Sequence, residues 1–204
     1  MPGLIISMLA SSVIAATPAT PQPWFNFTDD YPMKAFENRW EGVTAFELLI
    51  SPDGQVSRCT VTKSSGHDVF DGRTCLIAQK RVRFHPARSA DGQSVWGIYR
   101  SEAVWALPEH KVNGSAGPDL EISLNKLPDG TAEPAAVKLA FAVDPQGKTS
   151  ECTVMPTSLR QPQVLVEIGC KELLDRETGK PVIGPSGQPV NAVKSGAILF
   201  KSPS

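Results

Sequence analysis

Four cysteines are the side chains of this 204-residue sequence whose spacing most plainly invites chemistry. They fall in two stretches, CTVTKSSGHDVFDGRTC from Cys59 to Cys75 and CTVMPTSLRQPQVLVEIGC from Cys152 to Cys170. Both open on Cys-Thr-Val, and the separations are 16 and 18 residues. Zinc ligands, redox thiols and structural disulfides would each put cysteines in pairs. A zinc site normally brings close pairs of the C-x-x-C kind, which this sequence lacks. Two disulfides suit an oxidising compartment, and free buried thiols are the alternative.

The other reactive side chains offer less. The three histidines are His67, His85 and His110. None belongs to an H-E-x-x-H pair, and neither a G-x-S-x-G elbow nor a glycine-rich phosphate loop is present. Ser64 and Ser65 beside His67 suggest nucleophile and base, but helix capping explains the serines more simply. The reading is a protein that is not an enzyme and that uses no cofactor, no metal and no small-molecule substrate. A formal net charge of −1 gives no reason to expect nucleic acid as a partner.

Residues 4–16 form an apolar run ending in small side chains, with cleavage sites after Ala15 and Ala16. That is the length of a secretory signal core and short for a membrane span. Residues 1–16 are therefore expected to direct export to the periplasm, although no Lys or Arg precedes the run. A short hydrophobic tail, or an uncleaved segment holding the chain at the inner membrane, are the alternatives. Residues 17–30 contain Pro18, Pro21 and Pro23 and read as a linker.

What positions the cysteines is a repeat. FELLISPDGQVSRCTV, residues 46–61, aligns with LAFAVDPQGKTSECTV, residues 139–154, at an offset of 93. DGQSV and SGQPV, and Cys75 and Cys170, align at an offset of 95. Two copies of one domain are expected, at residues 31–108 and 135–204, joined by a linker at 109–134. In the first copy, residues 31–42 suit a short opening helix. Residues 43–51 are β-branched and aromatic-rich, Pro52-Asp53-Gly54 has turn chemistry, and residues 55–63 alternate, which together make a hairpin. Ser64, Ser65 and Gly66 lead into a helix over about 68–83, residues 84–93 read as a loop, and residues 94–107 as a last strand. The second copy repeats the hairpin near 136–155, the helix near 163–176 and the last strand near 190–201. DLEISLNKL, residues 119–127, alternates enough to be a stray strand, or the first element of the second copy. The fold class is α+β, each domain a hairpin, a covering helix and a third antiparallel strand. Each copy then has one cysteine on the second hairpin strand and one on the helix above it, so Cys59–Cys75 and Cys152–Cys170 are the expected bridges.

In order, these motifs resemble the TonB C-terminal domain family. The resemblance covers residues 30–108 and rests on Tyr31, Pro32, Gly42, Asp53, Gly54, Ser64, Ser65, Gly66, Arg81, Phe84, Pro86, Ala87, Gly92 and Gln93. The second copy lacks the Tyr-Pro, the Ser-Ser-Gly and the Phe before its exit proline. The resemblance implies an envelope protein that receives an extended segment of a partner beside the domain's last strand, with an outer-membrane TonB-dependent transporter as the family's kind of partner. In this sequence that strand holds Val95, Trp96, Ile98, Tyr99, Arg100 and Trp105. Strand period two puts Trp96 and Trp105 on opposite faces. The spacer before Tyr31 is far shorter than a transducer's, which favours an exported binding module over an energy-transducer subunit at the inner membrane. Should the two copies pack edge to edge, the protein would be structural and that strand closed.

Overall fold

The computed structural model describes residues 16–22, 30–114, 117–155 and 161–203. Residues 1–15, the greater part of the expected signal, and residues 23–29 of the expected linker lie outside them. Among the described residues no helix is long and apolar enough to cross a membrane.

The first half opens with β1 (Thr20–Pro21) and the short α1 (Met33–Glu37). It continues with the hairpin β2 (Gly42–Ile50) and β3 (Val56–Lys63), then α2 (Asp68–Arg81). Residues expected to be loop hold two short strands, β4 (Phe84–His85) and β5 (Ala87–Arg88), before β6 (Ser94–Trp105). The stretch 119–127 supplies β7 (Leu120–Ser123). The second half has the hairpin β8 (Ala135–Val143) and β9 (Thr149–Val154), then α3 (Gln163–Glu177). A small ribbon, β10 (Val182–Ile183) and β11 (Pro189–Val190), leads to β12 (Ala192–Lys201).

One sheet runs through both halves in the order β3-β2-β6-β12-β8-β9, with β5 also pairing β6 and β7 pairing β12. Within each half the last strand is antiparallel to the first hairpin strand. Between the halves, β12 lies parallel to β6 and pairs only Ala192 with Trp96 and Val193 with Gly97. The two last strands thus meet edge to edge, but over two residues.

That parallel seam puts the helices on opposite faces. Paired residues point to the same side of a sheet and successive residues to opposite sides. Phe46, Leu48, Ile50 and Trp105 pack with Phe70, Ile77 and Ala78 of α2, and Val193 belongs to the same cluster. Val137, Leu139, Phe141, Ile198 and Phe200 pack instead with Leu165 and Leu173 of α3. Since Val193 faces α2 and Ile198 is five residues on, the two clusters lie on opposite faces of β12. A third cluster, Leu49, Ile98, Val182 and Ala192 with Trp96 and Val190, seats the β10–β11 ribbon against the back of the first half. Arg58 Nη2 also donates to the Ile183 carbonyl at 3.1 Å.

The two halves share details of geometry. Each helix is tied to the second strand of its hairpin by a disulfide, Cys59–Cys75 and Cys152–Cys170. Each hairpin turns at a glycine of positive φ, Gly54 at 83° and Gly147 at 78°. The Gly54 carbonyl accepts from Phe84 N–H at 2.9 Å, and the Gly147 carbonyl from Gly179 N–H at 2.8 Å. A Cβ at Gly54 would stand 2.2 Å from the Phe84 carbonyl oxygen, so only glycine fits.

Candidate functional site

The family-motif residues hold the first half together. Tyr31 donates its hydroxyl to the Trp40 carbonyl and packs edge-on against Phe70 and Trp105. Pro32 is the N-cap of α1 and Phe84 packs against Tyr99, while Pro86 is half-buried between β4 and β5. Ser64 and Ser65 work differently from the capping expected of them. The N-cap of α2 is His67, which makes no side-chain cap bond. The serines instead secure Asp71, one turn into the helix. Ser64 Oγ donates at 2.5 Å, Ser65 N–H at 3.0 Å and Ser65 Oγ at 2.8 Å, while Thr44 Oγ1 on β2 donates at 2.8 Å. Burial pushes the Asp71 carboxyl up, but the hydrogen bonds from Ser64, Ser65 and Thr44 outweigh it and hold the group below its ordinary value. Gly66 takes φ 88° between the serines and the helix. His67 is stacked on Trp40, 4.6 Å between ring centroids, so no Ser-His chemistry is arranged here. Among the described residues no group of three or more His, Cys, Asp or Glu is placed to hold a metal.

The proposed partner strand, β6, divides into two parts. Val95 pairs with Ala87 of β5 and Trp96 with Ala192 of β12. Both positions are already occupied by the chain itself, which leaves room for an added strand only beyond Gly97. From Gly97 to Trp105 one edge of β6 pairs with β2. On the other edge no strand pairs with residues 98–105 among the described residues, because β12 turns away and takes β7 as its next partner at Ile198–Lys201. The faces are as strand alternation requires. Tyr99, Ala103 and Trp105 lie on the α2 side, and Ile98 lies on the other side in the ribbon cluster. Trp105 is 1% exposed, stacked on Phe70, and donates its indole N–H to Thr74 at 3.1 Å. Its side chain serves the core. Val104, 43% exposed, is the large apolar side chain that β6 offers to solvent.

Arg100 sits in the opening between β6 and β12. Its Nε donates to Glu47 at 2.8 Å and its Nη1 to Asp119 at 3.0 Å. Burial works against the Arg100 charge, but the two carboxylates outweigh it and raise its proton affinity. Asp119, immediately before β7, also accepts the Ala197 N–H at 2.7 Å. That carboxylate bridges the two halves, a role the sequence could not show because its partners are 19 and 78 residues away.

An apolar cavity of about 230 Å³ lies beside β6 on the α2 face, walled by Phe46, Leu48, Val82, Phe84, Tyr99 and Ser101. α2 is tied to β3 by its disulfide and leans toward that side of the sheet, which leaves this space next to the open strand. The second half has the same place, but lines it with charge and leaves it smaller, about 160 Å³. Lys194 and Glu177, the counterparts of Tyr99 and Val82 at the offset of 95, form an ion pair there with Lys194 only 8% exposed. Burial pushes the Glu177 carboxyl up, and Lys194 and Lys180 more than reverse that, holding it below its ordinary value.

Residues 29–106 match the model of the Gram-negative bacterial TonB protein C-terminal family. This segment is a TonB C-terminal domain. The match ends with β6 and does not reach the second half, whose likeness rests on element order and disulfide placement. No curated protein and no solved structure matches the chain. The TonB C-terminal domain is a non-catalytic energy-transducer domain that works through protein contacts in the cell envelope.

Proposed function

We propose that the protein is an exported envelope module that binds a protein partner by adding an extended segment of it to β6, along residues 98–105. The observation that carries this reading is the short seam. β12 pairs two residues of β6 and then leaves, so among the described residues six or more positions of this strand keep an edge on which main-chain hydrogen bonds can form. Strand addition obtains affinity from those bonds and selectivity from side-chain pockets on alternate positions. An edge of this length is otherwise an aggregation liability. An outer-membrane TonB-dependent transporter is one partner of suitable kind.

The test is site-specific photo-crosslinking. A benzophenone side chain at Val104 is expected to capture an envelope protein from periplasmic and outer-membrane extract, while the same group at Val154 on the outer edge of β9 does not. Capture at Val154 alone would place the interaction at the other end of the sheet and refute the reading. A second reading has one observation in its favour, the edge-to-edge contact of β6 with β12. In it the second half is a permanent cap and the molecule is structural; absence of any capture at Val104 supports it. Retention at the inner membrane as a transducer-like subunit is tested by N-terminal sequencing of periplasmic material. A start after Ala15 or Ala16 contradicts it.

A further inference from the structure

Resting on that strand-capture reading, we infer a chemistry for the captured segment: one apolar side chain on the α2 face and, from the adjacent residue, an acidic side chain on the α3 face. The inference comes from two clefts that flank the same three residues of β6, Tyr99, Arg100 and Ser101. Along a strand successive side chains point to opposite faces, so a segment beside these residues must present neighbouring side chains to both clefts.

On the α2 face the cleft is the apolar cavity of about 230 Å³. Its deep walls, Leu48, Val82 and Phe84, are each under 5% exposed. The volume falls short of the ~300–1,000 Å³ typical of small-molecule sites and suits a single aliphatic side chain.

On the α3 face the cleft is polar, about 160 Å³, and is lined by Arg100, Asp119, Arg176, Glu177 and Lys180. Its acids are already engaged. Asp119 is held by Arg100 and the Ala197 N–H, and Glu177 by Lys194 and Lys180. Arg176 has no acidic partner among the described residues and leaves the cleft with positive charge to spare. Asp119 itself shows how a carboxylate sits in the seam, one oxygen on a guanidinium and the other on a strand N–H. A partner carboxylate therefore finds Arg176 available and competes with Asp119 for Arg100. Charge complementarity of this kind acts chiefly through specificity and association rate.

The experiment uses the full chain and four eight-residue peptides with common Thr-Val flanks. They differ only at two adjacent central positions, which read Leu-Glu, Leu-Lys, Ser-Glu or Ser-Lys. Binding is followed by fluorescence anisotropy, and its location by backbone amide shifts. The Leu-Glu peptide is expected to bind about tenfold tighter than Leu-Lys and than Ser-Glu, with shifts centred on residues 98–102. Arg176→Gln, at an exposed position without an ion pair among the described residues, is expected to remove most of the Glu-over-Lys preference and leave the Leu-over-Ser preference intact. Equal affinity for Leu-Glu and Leu-Lys, shifts confined to β3 or β9, or no binding by any of the four would overturn the inference. If Val104 still captures an envelope protein in that event, strand capture stands and only the assigned chemistry falls. If Val104 captures nothing, strand capture falls with it.

Discussion

The two halves place the same elements around the same spot and finish it with opposite chemistry. Beneath the C-terminal end of α2, Val82 and Tyr99 leave an apolar cavity open beside β6. Beneath the C-terminal end of α3, Glu177 and Lys194 set a buried ion pair at the equivalent spot, which keeps only a smaller, polar cleft. The adjoining edge differs too, since β12 carries β7 where β6 carries no strand among the described residues. The two halves share a hairpin, a helix and a disulfide, and differ in the pair of side chains under the helix end and in the extra strand β7 beside β12. The TonB C-terminal match covers the half with the open strand and stops before the closed one.

The largest expected effect breaks the ion pair. Glu177→Val alone leaves Lys194 buried without its partner and is expected to cost about 3–5 kcal/mol in urea unfolding. Adding Lys194→Tyr installs the first half's pair of residues in the second. The double variant is expected to recover most of that loss, because exchanging a buried ion pair for apolar groups is often close to neutral. A double variant no more stable than Glu177→Val would show that the two clefts are not equivalent.

The disulfides come next. Replacing both cysteines of one bridge by serine is expected to lower stability by roughly 3 kcal/mol in either half, since the closed loops are of nearly equal length. Calorimetry of the two paired variants checks this. A marked inequality would mean that one half depends on its bridge where the other depends on packing.

Asp71 gives a smaller, pH-dependent contrast, as the second half has no Ser-Ser-Gly to match it. Its carboxyl is held below the ordinary value, so folding is stabilised above the unfolded-state pKa of about 3.9. That contribution is lost as pH falls through the folded-state value. Asp71→Asn is expected to cost about 1–3 kcal/mol at pH 7 and to flatten the stability curve below pH 4. An unchanged acid limb would remove Asp71 from the account. Smallest is Val104→Lys, expected to alter stability by less than about 0.5 kcal/mol while reducing partner capture.

Much of this architecture could be read from the sequence because the repeat carries its own register. Cys-Thr-Val after an x-Pro-x-Gly turn fixes hairpin and strand, and the second cysteine fixes the helix above. The bridges Cys59–Cys75 and Cys152–Cys170 follow from that placement and are present. Three features were hidden for physical reasons. The parallel seam depends on Ala192 and Val193, small apolar residues whose strand partner is set by shape and not by pattern. The bridging role of Asp119 involves contacts distant in sequence. Ser64 and Ser65 have capping side chains, yet Thr44, 27 residues before Asp71, decides that they grip the helix through a shared carboxylate. Of the residues proposed for the partner strand, Val95, Trp96 and Trp105 have their main chain or side chain committed within the molecule. Ile98, Tyr99 and Arg100 border the open stretch.

The most direct measurement is amide hydrogen exchange across residues 94–105, with and without the envelope protein captured at Val104. The account predicts that amides at 98–105 directed away from β2 exchange fast in the free protein and slow markedly in the complex. Those at 94–97, already covered by β5 and β12, should hardly change. Protection of 98–105 in the free protein equal to that of 94–97, or protection gained only at β3 or β9, would contradict it.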